Sequence, residues 1–315
     1  MKGEARAVVI GDLVLDLVAR TPGQLNYGTD TRGEIYPRQG GSAANTATWR
    51  ARLGTRVLFA GRVGADPLGR ALVTGLEQEG VEARVVEDAG APTGVVLALT
   101  SPGGERSMLI SPGANHRLAP ADVPVDALAG AAVLHLTGYS FVWDTTRDAA
   151  SFALAAARER GVPVAVDVSS TALIREYGVD RFLAAIDGVT YLFCNEDEAR
   201  LLTGRAGPEA ALDDLARAFP VVGIKRGAAG CLCAAGGRRT AVPAARARAV
   251  DSTGCGDAWN AGFLAGMLRG LDPAAAARLA AWTAAWVVAR PGAVPPGWTG
   301  RHQEAAWEYA TGGSG

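Results

Sequence analysis

The chain has 315 residues, 49% hydrophobic and 20% charged, with 31 Lys+Arg against 32 Asp+Glu for a formal net charge of −1. So apolar and so neutral a composition excludes intrinsic disorder. It also argues against nucleic acid or an anionic membrane as partner, because both select a basic surplus; a small or uncharged partner is expected.

Residues 7–11 (AVVIG) form a short apolar, β-branched run closed by glycine, the pattern of a buried strand in an α/β protein. A helix is predicted over 42–53, with Ser42 as N-cap and Gly54 beyond its end, then a strand over 56–61. Residues 66–80 read as a helix capped by Asp66, with Pro67 at its first position and Gly80 as its stop. The alternation continues with strands at 132–136, 162–167, 189–194, 221–225 and 231–235, and helices at 144–160, 195–203, 208–218, 256–269 and 273–288. It implies right-handed crossovers and a mostly parallel sheet covered on both faces, one α/β domain over residues 1–310. Two stretches, 17–39 and 94–110, lack a helical period; the second reads as two strands around a turn at Pro102-Gly103-Gly104. Both are assigned to a small β layer beside the main sheet. The closing TGGSG, 311–315, reads as a flexible tail.

Charge cuts every long apolar run short of the roughly 18 residues that a membrane span needs. Asp12 and Asp16 interrupt the closest run, 7–19, and together with Glu4 they spoil a signal-peptide pattern, so a cytoplasmic protein is expected. Four irregularly spaced cysteines, Cys194, Cys231, Cys233 and Cys255, fit a reducing compartment rather than a disulfide framework. Three histidines without HExxH or paired CxxC argue against zinc.

The 41 glycines cluster between apolar segments, and two clusters carry chemistry. In DSTGCGDAWNAGFLAG, 251–266, Gly254 and Gly256 flank a bend that runs straight into a small-residue helix. Such a helix start aims unpaired N–H groups and the positive dipole end at one place, which suits anionic oxygens. Asp257 sits in the first turn beside it. Taken alone, Asp257 could equally cap a helix whose glycines merely pack closely. In GGSAANTATWRARLG, 40–54, Gly40 and Gly41 precede a helix of small residues, and Asn45 offers a donor and an acceptor on its exposed face. Tight helix-to-sheet packing would give the same pattern.

Together these two runs resemble the two signatures of the ribokinase-like, or PfkB-type, carbohydrate kinase family, D-T-x-G-A-G-D and G-G-x-x-x-N. Other landmarks stand in order: Gly11-Asp12 and Asp16 after the first strand, Asn195-Glu196-Asp197-Glu198 as N-x-x-E, and Lys225-Arg226-Gly227-Ala228-Ala229-Gly230 after a late strand. The resemblance implies a three-layer ribokinase-like α/β fold with a β lid over the acceptor, and an ATP-dependent sugar kinase. Asp257 would be the general base, and the backbone amides of Gly254, Cys255 and Gly256 the anion hole, which agrees with what phosphoryl transfer asks of a protein. Asp16, Gly41 and Asn45 would hold the acceptor, with Asp12 as a further contact and Arg106 in reach of an acidic or phosphorylated acceptor. Arg106 could equally be a solvated hairpin arginine. Asn195, Lys225, Gly227 and Gly230 would line the nucleotide side, though a plain turn between strands explains the last three as well. Asn195 and Glu198 would order water around Mg²⁺; N-x-x-E is also an N-cap with its capping-box glutamate, and both roles can coexist. Asp251, Thr253 and Gly292 match positions that offer oxygens to a monovalent cation such as K⁺. The resemblance also implies homodimers paired through the lid.

Three departures bear on the substrate. Cys255 stands where the family has alanine, which adds a thiol to the anion hole. Leu136-Thr137-Gly138-Tyr139 lacks the glutamate of ribokinases proper, and Asp167-Val168-Ser169-Ser170 lacks the D-x-N-x-R of fructokinase-like members. A nucleoside kinase of the same fold is the main alternative, its base held by an aromatic clamp drawn from Tyr27, Tyr36, Tyr139, Phe141 and Trp143. A non-catalytic sugar- or nucleotide-sensing module is a further one. No GxxxxGK[ST] run supports a P-loop kinase, and Gly11-Asp12-Leu13-Val14 breaks the GxGxxG of a dinucleotide oxidoreductase.

Overall fold

A computed structural model describes residues 6–100 and 106–312. In chain order the strands are β1 (Ala7–Ile10), β2 (Val14–Arg20), β3 (Glu34–Gly40), β4 (Val57–Gly64), β5 (Glu82–Asp88), β6 (Val95–Thr100), β7 (Arg106–Ser111), β8 (Val133–Thr137), β9 (Val164–Asp167), β10 (Tyr191–Asn195), β11 (Val221–Lys225), β12 (Cys231–Ala235) and β13 (Arg238–Val242). The helices are α1 (Ser42–Arg52), α2 (Pro67–Gln78), α3 (Val125–Leu128), α4 (Tyr139–Val142), α5 (Asp144–Glu159), α6 (Thr171–Tyr177), α7 (Val179–Ala185), α8 (Glu196–Thr203), α9 (Pro208–Ala218), α10 (Cys255–Leu268), α11 (Pro273–Val288) and α12 (Gly300–Thr311).

Nine strands form one sheet in the order β13-β12-β11-β10-β9-β8-β1-β4-β5, parallel except for β12 and β13. The strands β1, β8 and β9 are buried along their whole length because helices cover both faces; β1 is wholly apolar, and β8 and β9 are apolar apart from His135, Thr137 and Asp167. One core packs β-strand residues such as Val8, Leu134 and Leu192 against α5, α8 and α9; the other packs Val9, Phe59 and Phe193 against α1, α10 and α11. Helices α10 and α11 meet through small residues: a Cβ on Gly262 or Gly266 would stand 2.8 Å from the Cα of Ala280 or Ala276. The small-residue composition of 251–266 therefore serves close helix packing.

The β layer is a four-stranded sheet in the order β3-β2-β6-β7, at the two stretches without helical period. The turn expected at Pro102-Gly103-Gly104 lies outside the described residues. Several expectations are corrected. Gly41, at φ 98°, and not Ser42 is the N-cap of α1; Ser42 is its first helical residue. Helix α12 extends through Thr311 and closes on the left-handed Gly312, so the tail begins later than 311. Strands β5 and β13 and helices α3, α4, α6, α7 and α12 go beyond the elements expected from the sequence. For β13 a signal was present: Gly236 and Gly237, both at positive φ, form the two-residue turn that favours a hairpin.

Candidate active site

Parallel strands present their C-terminal ends to one edge of the sheet, where an open α/β sheet holds its ligands. Here Asp12 follows β1, while Asp167, Asn195 and Lys225 end β9, β10 and β11. The N-termini of α1 and α10 face the same edge, and all these groups line one cavity of about 830 Å³.

Asp257 is the third residue of α10 and is only 9% exposed. Its Oδ1 accepts a hydrogen bond from Ser42 Oγ at 2.5 Å and its Oδ2 from Asn45 Nδ2 at 2.9 Å, both from the first turns of α1. Burial pushes its pKa up to about 7; the Ser42 and Asn45 donors and Lys225 pull it down, and Asp167 pushes it further up. A carboxylate poised near neutrality suits general-base work. Gly254 caps α10 at φ 72°, a left-handed conformation, and an added Cβ would lie 2.4 Å from that of Ala293. Only glycine meets both demands. The first turn that follows lies on the cavity beside Asp257; its N–H groups have no intrahelical acceptor, and that of Cys255 donates to the Ser252 carbonyl at 3.3 Å.

Asn45 is not on an exposed face as the sequence suggested: it is 4% exposed, with its amide nitrogen on Asp257 and its Oδ1 without a hydrogen-bond partner. Asp12 lines the cavity but caps α1, its two oxygens accepting from Ser42 N at 2.9 Å and Ala43 N at 3.1 Å. Burial raises its pKa against those backbone donors. Asp16 on β2 also lines the cavity; its carboxylate lies where a Cβ on Gly40 would be, 2.2 Å from the Asp16 Cγ, so Gly40 is required for space. Gly41 is constrained similarly, with the Asp12 carbonyl 2.3 Å from an added Cβ. Arg106 lies on β7, paired with Thr100, and its side chain lies outside what the structure describes.

On the opposite side, Asn195 and Glu198 form a capping box: Glu198 N donates to Asn195 Oδ1 at 2.9 Å and Asn195 N to Glu198 Oε2 at 2.8 Å. Burial and then Asp167 push the Glu198 pKa up to about 7, against Lys225. Both side chains also line the cavity, so the capping role leaves hard oxygens at its wall. That sparse donor set fits Mg²⁺, which retains most of its water. Lys225, expected on the nucleotide side, lines the cavity, and its Nζ donates to Asp167 Oδ1 at 2.5 Å and to Asn260 Oδ1 at 3.2 Å. Gly227 and Gly230 lie in the turn between β11 and β12 and line the cavity, Gly230 at φ 86° with the Val242 carbonyl 2.1 Å from an added Cβ.

Asp251, Thr253 and Gly292 are brought together, but as a clasp. Asp251 Oδ1 accepts from Thr253 N at 2.9 Å and Thr253 Oγ1 at 2.5 Å, and Oδ2 from Gly292 N at 2.9 Å. N–H and O–H donors surround that carboxylate, a poor fit to a cation site, and we assign no K⁺ to it. Of the five aromatic candidates, Tyr139 and Trp143 line the cavity, Phe141 is in the core and Tyr27 is 96% exposed; Tyr36, on β3, is not among the lining residues. His116 packs on Trp143 with ring centroids 4.5 Å apart and joins the same wall. Sequence reasoning passed over His116, and it placed neither Ser42 nor Asp167 in the site. Ser42 and Asp257 are separated by 215 residues, and no local pattern links them.

The sequence profile described as pfkB family carbohydrate kinase matches residues 4–299. Fructokinase-1 of Oryza sativa subsp. japonica is 30% identical over 281 residues, 85% of this chain and 84% of that protein. The crystal structure of adenosine kinase from Sinorhizobium meliloti aligns at 26% identity and a TM-score of 0.86, covering 96% of this chain and 100% of that one. A putative ribokinase II from E. coli, solved in complex with ATP and Mg²⁺, shares the fold at 22% identity and a TM-score of 0.81, covering 92% and 94% of the two chains.

Proposed function

The chain belongs to the pfkB family of carbohydrate kinases, phosphotransferases whose acceptor is an alcohol group, and from that premise we propose that it transfers the γ-phosphate of ATP to a hydroxyl of a small carbohydrate with Asp257 as general base. The observation that carries this reading is the placement of Asp257. A buried carboxylate, oriented by Ser42 and Asn45, stands in the same helical turn as the amides of Gly254, Cys255 and Gly256. The acceptor hydroxyl gives its proton to the carboxylate as its oxygen bonds to the γ-phosphorus; the bond from phosphorus to the bridging oxygen breaks and ADP leaves. The first-turn amides of α10 meet the charge on the equatorial oxygens, and being fixed by the helix they need no reorganisation. Asp16 and the Asn45 Oδ1 accept from the other hydroxyls of the acceptor, while the lid residues Val96, Met108 and Ile110 shut out water that would hydrolyse ATP. Asn195 and Glu198 would hold the water shell of Mg²⁺, which would supply positive charge to neutralise the phosphates. Asp257→Asn tests the reading: it keeps the helix start and removes the base.

A second reading, a nucleoside acceptor, is favoured by the His116–Trp143 ring pair and by Met108 and Ile110 on the lid, an apolar wall that suits a planar base better than a free sugar. Trp143→Ala separates the two: under the nucleoside reading it raises KM for adenosine at least about tenfold, the worth of one lost stacking contact, and leaves KM for D-fructose unchanged. Equal effects on both acceptors, measured by ADP release, would exclude it.

A further inference from the structure

Lys225 stands in an electrostatically odd place. Its Nζ lies 3.4 Å from where a Cβ on Gly256 would stand, so the ammonium lies against the first turn of α10, one residue before Asp257. That turn already carries the positive end of the helix dipole. Two positive groups side by side repel unless something negative lies near both; Glu198 and Asp257 also face the ammonium, but the carboxylate bonded to it is Asp167, whose Oδ1 accepts from Nζ at 2.5 Å. Asn260 Oδ1 fixes the same nitrogen from the second turn of α10 at 3.2 Å. The side chains of Lys225 and Asp167 are largely buried, 14% and 6% exposed, and both stand at the wall of the cavity. Asp167 is itself braced by Ser169 Oγ, 3.2 Å from its Oδ2, from a residue held at φ 69°, the sole non-glycine at positive φ among the described residues. Backbone strain of that kind collects at functional sites.

We propose that Lys225 is a catalytic residue for the phosphoryl group in flight, with Asp167 and Asn260 as the positioning residues that hold its ammonium against the Gly256 turn. The inference rests on the kinase reading above. As the O–P bond to the acceptor forms and the bridging P–O bond breaks, negative charge gathers in front of this turn, and the ammonium meets it together with the amides. Being anchored already, the ammonium favours the transition state over bound ATP. The Asp167 partner has a second effect: it neutralises Lys225 before ATP arrives, so a bare cation is not buried beside a helix N-terminus.

The test compares three variants, Lys225→Met, Asp167→Asn and Lys225→Met/Asp167→Asn. ADP release is followed with saturating ATP and Mg²⁺ and with adenosine, D-fructose or water alone as acceptor, and ATP affinity is measured separately by calorimetry. Lys225→Met is expected to lower kcat about a hundredfold, as loss of one fixed oxyanion donor does, with the Kd for ATP moved less than about threefold. Because that variant leaves Asp167 unpaired, the double variant is decisive: deleting both partners restores wild-type melting, and kcat stays low. Recovery of wild-type kcat in the double variant would show that Lys225 serves only to neutralise Asp167 and would overturn the proposal. So would a large loss of ATP affinity at unchanged kcat, the behaviour of a nucleotide-binding lysine. Failure of the kinase reading looks different: the wild-type protein itself would release no ADP in response to either acceptor.

Discussion

Ser42→Ala isolates one term of the site. Ser42 Oγ donates to Asp257 Oδ1 at 2.5 Å, and alanine removes that donor while keeping a good helix former at the first position of α1. A hydrogen bond to a charged group contributes about 1.5–3 kcal/mol, and one pKa unit is about 1.36 kcal/mol, so complete loss would raise the Asp257 pKa by roughly 1–2 units. Ser42 is only half-buried, so water takes over part of the role, and about one unit is expected. The sign follows from the state stabilised: the donor favours the carboxylate, its removal favours the acid, and the base works only as carboxylate. With the wild-type group at about 7, the acid limb of kcat/KM starts near neutrality and moves up by about one unit in Ser42→Ala, while the high-pH plateau holds. ADP release between pH 5 and 9 reads both. An acid limb that stays in place would refute the assignment of that limb to Asp257, and a plateau that collapses would show that Ser42 does more than orient the base.

Gly254→Ala places a Cβ at φ 72° and 2.4 Å from that of Ala293. It is expected to destabilise by at least the 1–3 kcal/mol or so of a strained backbone residue, and to cut turnover because the anion-hole turn must shift; unchanged melting would mean that the loop yields freely. Arg50 on α1 is fully buried, and none of its three guanidinium nitrogens has a hydrogen-bond partner, although burial lowers its pKa only to about 9 and leaves it charged at neutral pH. Arg50→Met, of similar length and uncharged, is expected to be neutral or to stabilise by about 1–4 kcal/mol, seen in urea melts. A loss of several kcal/mol would show that the charge is satisfied in solution.

What the sequence made legible was whatever rests on local chemistry. The strands at 221–225 and 231–235 and the helices at 208–218 and 273–288 coincide with β11, β12, α9 and α11, because apolar runs and Pro at the first turn of a helix are local signals. Strand β5, EARVVED, lies at the sheet edge with Glu82, Arg84 and Glu87 charged and exposed, and it lacks a continuous apolar run such as marks β1 and β4. Helix α12 is held by Trp307 and Ala306 against Leu53 and Leu279, contacts far away in sequence. The site divides in the same way. Gly254, Gly256, Asp257, Asn195 and Glu198 stand at helix starts, whose chemistry is written within four residues. Asp167 matters because β9 lies between β8 and β10, two strands from the β11 that carries Lys225, and only sheet order shows that. His116 reaches Trp143 from the loop after β7, and neither position shows a periodic signal.

The central claim is that Asp257 removes the acceptor proton, and turnover of Asp257→Asn tests it most directly. Asparagine preserves size and the start of α10, so the Kd for ATP should change less than about threefold. Loss of the base should lower kcat by about 10²–10⁴-fold at every pH, with the acid limb near 7 abolished. Turnover close to wild type, with the limb still in place, would contradict the account.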